Sequence, residues 1–120
     1  MKFEDLKLIP SILKTLRDEN YTEPTSIQAK SIPLALNRED VLGSAQTGTG
    51  KTAAFAIPII QHLSNDQQNP KGKRKISSLV VTPTRELAIQ IGESFNAYGK
   101  YTNLRNTVVF GGVTQGIQTD

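Results

Sequence analysis

The run Ala45-Gln46-Thr47-Gly48-Thr49-Gly50-Lys51-Thr52 restricts what this chain can be more than any other part of it. Its glycines let successive backbone N–H groups turn inward around phosphate oxygens. A helix starting at Lys51 would add the favourable end of its dipole to the same anion. Lys51 is placed to reach the β and γ phosphates, and the Thr52 hydroxyl to ligate Mg²⁺. One position departs from the general pattern, because Ala45 stands where a Gly is usual. The bland alternative is a Gly- and Thr-rich turn that caps a helix. The flanks favour the phosphate loop: Asp40-Val41-Leu42-Gly43-Ser44 reads as a short strand, and an apolar helix runs from Lys51 to Leu63. Strand, loop and helix in that order are the context the motif requires.

The rest of the chain repeats that alternation. A first helix is expected from Pro10 to about Glu19, with Ile9, Ile12, Leu13 and Leu16 at helical spacing. Pro10 suits its first turn. A second runs from Thr25 to about Leu36, with Pro33 expected to bend it. The helix after the phosphate loop carries Ala53, Ala54, Phe55, Ala56, Ile57, Ile59, Ile60 and Leu63, apolar almost all round, which predicts burial. A polar loop spans Ser64 to Lys75, and Ile76 to Thr82 reads as a strand with a continuous apolar run. Thr82-Pro83-Thr84 opens a further helix whose apolar face is Leu87, Ala88, Ile91, Phe95 and Tyr98; Thr107 to Phe110 is a last strand, stopped by Gly111-Gly112. The pattern predicts an α/β fold with a parallel sheet and flanking helices. Loops after the strand C-termini should then line one edge.

Composition removes several chemistries. With no Cys and a single His, His62, the chain has no disulfide framework, thiolate nucleophile or His-based metal cluster. Its 120 residues are about one domain's worth, and 21% charged with 37% hydrophobic residues is ordinary for a soluble protein. The longest apolar stretch is too short to span a bilayer. Met1-Lys2-Phe3-Glu4-Asp5 lacks a secretory start, so a cytoplasmic location without membrane contact is expected. The net charge of +3 is local: Lys71, Lys73, Arg74 and Lys75 alone carry four positive charges. Such a run reads as a solvated loop, with auxiliary attraction to nucleic acid as the minority alternative.

Gln28 supports two readings on its own residues. Glutamine can contact adenine at N6 and N7 at once. Thr25-x-x-Gln28 is also a capping box, in which Gln28 satisfies the start of its own helix. Pro83-Thr84-Arg85, at a strand end and a helix start, offers N–H groups, a hydroxyl and a guanidinium to a backbone phosphate, or simply caps its helix. Gly111-Gly112 permits close approach of a second backbone, or makes a tight turn.

Taken together, Tyr21-x-x-Pro24-Thr25-x-Ile27-Gln28, then 45–52, then Pro83-Thr84-Arg85-Glu86-Leu87, then Gly111-Gly112 resembles the N-terminal half of the first RecA-like domain of DEAD-box ATP-dependent RNA helicases. These are similar to the family's Q motif (about 3–28), motif I (45–52), motif Ia (83–87) and GG motif (111–112). The family's motif I begins with Ala, as here. The resemblance implies a RecA-like P-loop fold, here an incomplete domain, with ATP and Mg²⁺ as cofactors. It implies that Gln28 reads adenine, that Thr25 helps hold that loop, that Phe3 packs on the base, and that Tyr21 belongs to the same nucleotide site. It also implies sequence-independent RNA-backbone contacts by Pro83, Thr84, Arg85, Gly111 and Gly112. Asn20 stands where the family usually has Gly; Asn tolerates a left-handed backbone, so little consequence is expected.

The same resemblance implies a second RecA-like domain as partner, with ATP and RNA together closing the two domains to separate short duplexes. Hydrolysis also needs an acidic residue at a strand end beside the phosphate loop. Asp66, Glu86, Glu93 and Asp120 follow no apolar strand, and no Asp-Glu-Ala-Asp run occurs in the 120 residues. The expectation is that they form about half of one domain and turn over no ATP alone. The competing readings are a non-catalytic module that binds adenine nucleotide or RNA, and another P-loop protein. A GTPase would carry Asn-Lys-x-Asp, which is absent, and a kinase gives no reason for Pro83 to Leu87.

Overall fold

In the computed structural model, residues 1–43, 50–66 and 78–106 are described. A 3-10 turn at Phe3–Leu6 precedes four helices, α1 (Pro10–Asp18), α2 (Ser26–Leu36), α3 (Lys51–Asp66) and α4 (Arg85–Tyr98). Each begins where the sequence supplies a start signal. Pro10 occupies the first turn of α1, where its missing N–H would be unbonded anyway. Thr25 and Thr84 cap α2 and α4 with their hydroxyls. The helix α2 continues through Pro33, and Asn37 N–H closes it by donating to the Pro33 and Leu34 carbonyls, each at 3.1 Å.

The first two helices end in the same way. After α1, Tyr21 N–H donates to Leu16 O at 2.8 Å and Asn20 N–H to Arg17 O at 3.0 Å, with Asn20 at φ 61°. After α2, Glu39 N–H donates to Leu34 O and Arg38 N–H to Ala35 O, both at 3.0 Å, with Arg38 at φ 60°. This paired closure needs one left-handed residue past the helix end, the position glycine favours. Asn20 fills it as a side chain that tolerates the conformation.

The apolar helix α3 is the centre of the molecule. It packs mainly against α2 and also against α4, while α1 meets α4 and the 3-10 turn meets α2. Its Ala53, Ile57 and Ile60 join Phe3, Leu6, Leu8, Ile12, Leu16 and Ile32 in one core. Each fully buried Ile or Leu contributes roughly 1.5–3 kcal/mol relative to leaving it in water. Phe55 and Phe95 extend the α3–α4 contact, with ring centroids 6.3 Å apart.

The strands do not follow the expectation. Residues 40–43 and 78–82, which belong to the proposed strands Asp40–Ser44 and Ile76–Thr82, have no regular structure. Thr107 to Phe110 lies outside the described residues. A helix makes its hydrogen bonds within its own segment, whereas a strand exists only through a neighbour's ladder. Leu42, Leu79 and Val81 show what is left without one: they are 102, 82 and 83% exposed.

Candidate functional site

Of the phosphate loop, Gly50, Lys51 and Thr52 are described, whereas Ala45, Gln46, Thr47, Gly48 and Thr49 lie outside the described residues. Gly50 has φ 85°, a left-handed conformation that an L side chain rarely adopts. Its carbonyl accepts the Ala54 N–H at 3.1 Å and so starts α3. Lys51, exposed, and Thr52, half-buried, follow as the first residues of that helix. A helix N-terminus with its unbonded N–H groups favours an anion there.

The Thr25–Gln28 segment meets this loop directly. The Gln28 side-chain amide Nε2 donates to the Gly50 carbonyl at 3.2 Å, across 22 residues of sequence. The other end of the same amide, Oε1, accepts the Thr25 N–H at 3.0 Å, and Thr25 Oγ1 accepts the Gln28 N–H at 3.4 Å. The capping box is thus present, and the group that completes it also reaches the phosphate loop. Gln28 is buried, 7% exposed. The backbone angle favours glycine there, and a Cβ added at Gly50 would lie 2.2 Å from Gln28 Nε2 and so displace the amide from its present place.

The aromatic residues divide. Tyr21 is half exposed beside the segment. Phe3, the ring expected to pack on a base, is 3% exposed and belongs to the core. The cause is local: the 3-10 turn eclipses residues three apart, and Phe3 and Leu6 enter the core together. The Phe3 N–H donates to the Thr22 carbonyl at 3.4 Å, which ties the N-terminal turn to the segment before Thr25.

Pro83, Thr84 and Arg85 form an exposed helix start. Thr84 Oγ1 accepts the Leu87 N–H at 3.2 Å, and the Thr82 hydroxyl donates to the Thr84 carbonyl at 2.9 Å. Gly111, Gly112 and the Lys71–Lys75 run lie outside the described residues.

Two polar residues of α3 escaped the sequence reading. Gln61, 8% exposed, accepts the Ile9 N–H at 2.9 Å and donates to the Lys7 carbonyl at 3.1 Å. His62 Nε2 lies 2.9 Å from the Ala35 carbonyl and joins α3 to α2. Both partners are distant in sequence, so no local pattern marks them. A hollow of about 330 Å³ sits at the end of α1 against α4, lined by Glu19, Tyr21, Gln90, Glu93, Ser94 and Tyr98. Burial raises the Tyr98 phenol above its ordinary pKa, and the neighbouring Tyr21 and Glu19 push the same way. Of the described phosphate-loop residues, Gly50, Lys51 and Thr52, none lines the hollow. Among the described residues no group of three or more His, Cys, Asp or Glu could hold a metal, and no helix is long and apolar enough to cross a membrane.

Residues 25–120 match the family model for DEAD/DEAH box helicases. The chain is 49% identical over 116 residues to the ATP-dependent rRNA helicase RRP3 of Yarrowia lipolytica, covering 97% of this chain and 23% of that protein. Among solved structures it is similar to a DEAD box protein from Methanococcus jannaschii, with a TM-score of 0.79 and 38% identity over 98% of this chain and 31% of that one. It is likewise similar to the RNA helicase Prp28 from Chaetomium thermophilum bound to ADP, with a TM-score of 0.83 and 32% identity over 98% of this chain and 28% of that one. The chain therefore spans about a quarter of the length of the relatives and structures it matches.

Proposed function

This chain belongs to the DEAD/DEAH box helicase family, and from that premise we propose that it is the ATP-binding portion of an ATP-dependent RNA helicase that remodels short RNA duplexes. The observation that carries the reading is the Gln28 amide on the Gly50 carbonyl at 3.2 Å. It makes neighbours of a side chain chemically suited to adenine and a loop suited to phosphates, as one nucleotide would need.

In this reading residues 1–120 are the N-terminal portion of the first RecA-like domain of a cytoplasmic enzyme. The segments 40–44, 76–82 and 107–110 become parallel strands once their ladder neighbours are present. Gln28 reads the adenine edge, Thr25 holds the segment around it, and Tyr21 belongs to the same nucleotide site. Lys51 and the loop 45–50 bind the phosphates. Mg²⁺ would be held by the Thr52 hydroxyl. A single protein oxygen beside a phosphate site fits this ion, which keeps several waters and shares its remaining positions with substrate phosphates. When bound, it would neutralise charge developing on the phosphates. Pro83, Thr84, Arg85, Gly111 and Gly112 contact the RNA backbone, and a second RecA-like domain completes the site. The acidic residue that orients the attacking water is not among these residues, so they turn over no ATP by themselves.

Titration of adenine and guanine nucleotides against the wild type and Gln28→Ala tests the base reading. The wild type should prefer adenine and Gln28→Ala should lose the preference, whereas equal wild-type affinity for the two would sink it. Lys51→Ala should abolish binding of both.

A further inference from the structure

We propose that the choice of adenine over guanine is set by two main-chain groups, the Thr25 N–H and the Gly50 carbonyl, because they lock the Gln28 amide in one orientation. This inference rests on the base-reading role of Gln28 and adds what gives that side chain its selectivity. A glutamine amide is nearly symmetric in shape but opposite in chemistry at its two ends. Left free, it can turn its NH₂ group toward any pair of acceptors. Adenine presents a donor at N6 and an acceptor at N7, whereas guanine presents two acceptors, O6 and N7. A free glutamine could serve either base.

In this chain the amide is not free. Oε1 accepts from Thr25 N–H at 3.0 Å, and Nε2 donates to Gly50 O at 3.2 Å. Reversing the amide would set Nε2 against a donor and Oε1 against an acceptor, two repulsive contacts in a side chain only 7% exposed. The Gly50 carbonyl is itself fixed, since it also starts α3 through Ala54 and its residue holds φ 85°. The two contacts still leave chemistry for a ligand. Oε1 keeps a second lone pair and Nε2 a second hydrogen. The locked amide therefore presents one acceptor and one donor, the complement of adenine. Guanine would set its O6 against Oε1, and turning the NH₂ group toward O6 would break the contacts to Thr25 and Gly50.

The Thr25 N–H can be removed without imposing a new backbone angle. Thr25 has φ −69°, which a proline ring adopts. Thr25→Pro deletes the N–H together with the hydroxyl, and Thr25→Ala deletes the hydroxyl alone. In the whole protein, Thr25→Ala measures the loss of the hydroxyl that accepts the Gln28 N–H, and its ratio of ATP to GTP affinity is the reference for Thr25→Pro. From that reference the ratio should fall roughly tenfold in Thr25→Pro, as expected for one directional hydrogen bond released. The reference ratio in a folded Thr25→Pro, alongside a lost ratio in Gln28→Ala, overturns the lock and leaves the base reading intact. An unchanged ratio in Gln28→Ala overturns both. Should Thr25→Pro not fold, the side-chain amide of Gln28 in the nucleotide-free wild type decides by NMR. Protons protected from solvent exchange support the lock, and protons exchanging as fast as those of a surface glutamine overturn it.

Discussion

Helices α2 and α4 start from nearly the same local signal and end up in different situations. Each opens after a proline-containing turn with a threonine whose hydroxyl accepts the N–H three residues on, at 3.4 Å in α2 and 3.2 Å in α4. In α2 the third residue returns the bond with its own side chain, is buried, and reaches Gly50 across 22 residues. In α4 the third residue is Leu87, which returns no bond, and the start is open to solvent. One start is therefore built into the protein and the other left accessible. The contrast matches the roles proposed for them, one segment holding a nucleotide-side geometry and the other meeting RNA.

The comparison breaks most severely at Gly50. Gly50→Ala forces a side chain into φ 85° and into the Gln28 amide, and should cost about 2–4 kcal/mol together with nucleotide binding. A denaturant midpoint within error of wild type would count against it. Gln28→Ala removes the cap return and the Gly50 contact together, and should cost about 1–2 kcal/mol. Thr84→Ala should cost about 0.5–1 kcal/mol, because its exposed cap supports only its own helix. If Thr84→Ala matched Gln28→Ala in thermal melts, the contrast between the two starts would be wrong.

The smallest effect is expected on the exposed surface where α1 meets the end of α4. There the Tyr101 hydroxyl donates to Asp18, Lys100 Nζ lies 3.5 Å from the same carboxylate, and Lys14 sits over the Tyr101 ring at 4.3 Å. The Tyr101 bond holds the Asp18 pKa below its ordinary value, with Lys100 and Lys14 adding to it. The sign follows. A depressed folded pKa stabilises above the unfolded value near 4 and is lost as pH falls through the folded one. Tyr101→Phe should therefore flatten the acid limb of the stability curve slightly and leave neutral pH nearly unchanged. A steeper acid limb in the variant would reverse the assignment.

How much was legible follows from where each bond's partner sits. The four helices appear within a few residues of expectation, since Pro10, Thr25, Thr84 and the apolar run after Lys51 act within one or two turns. Burial of α3 was readable from its all-round apolar character. The site was half legible. Gln28, Gly50 and Lys51 could be named from motif order, but the bond between the first two could not, because no local rule links positions 22 apart. Gln61, whose partners Ile9 and Lys7 lie more than 50 residues away, gave no signal at all. The burial of Phe3 beside Leu6 follows from the 3-10 turn and is not marked by any apolar periodicity in the sequence.

By itself the sequence determined the helices, the family and the chemistry available at each motif. These rest on short-range bonds and on ordered residue types, which the chain carries wherever it goes. Only the tertiary structure decided that the capping glutamine also grips the phosphate loop, that Phe3 is interior, and that residues 40–43 and 78–82 hold no ladder. The reason is the same in each case: the group that satisfies the bond or covers the surface comes from elsewhere in the chain, and folding alone sets whether it arrives.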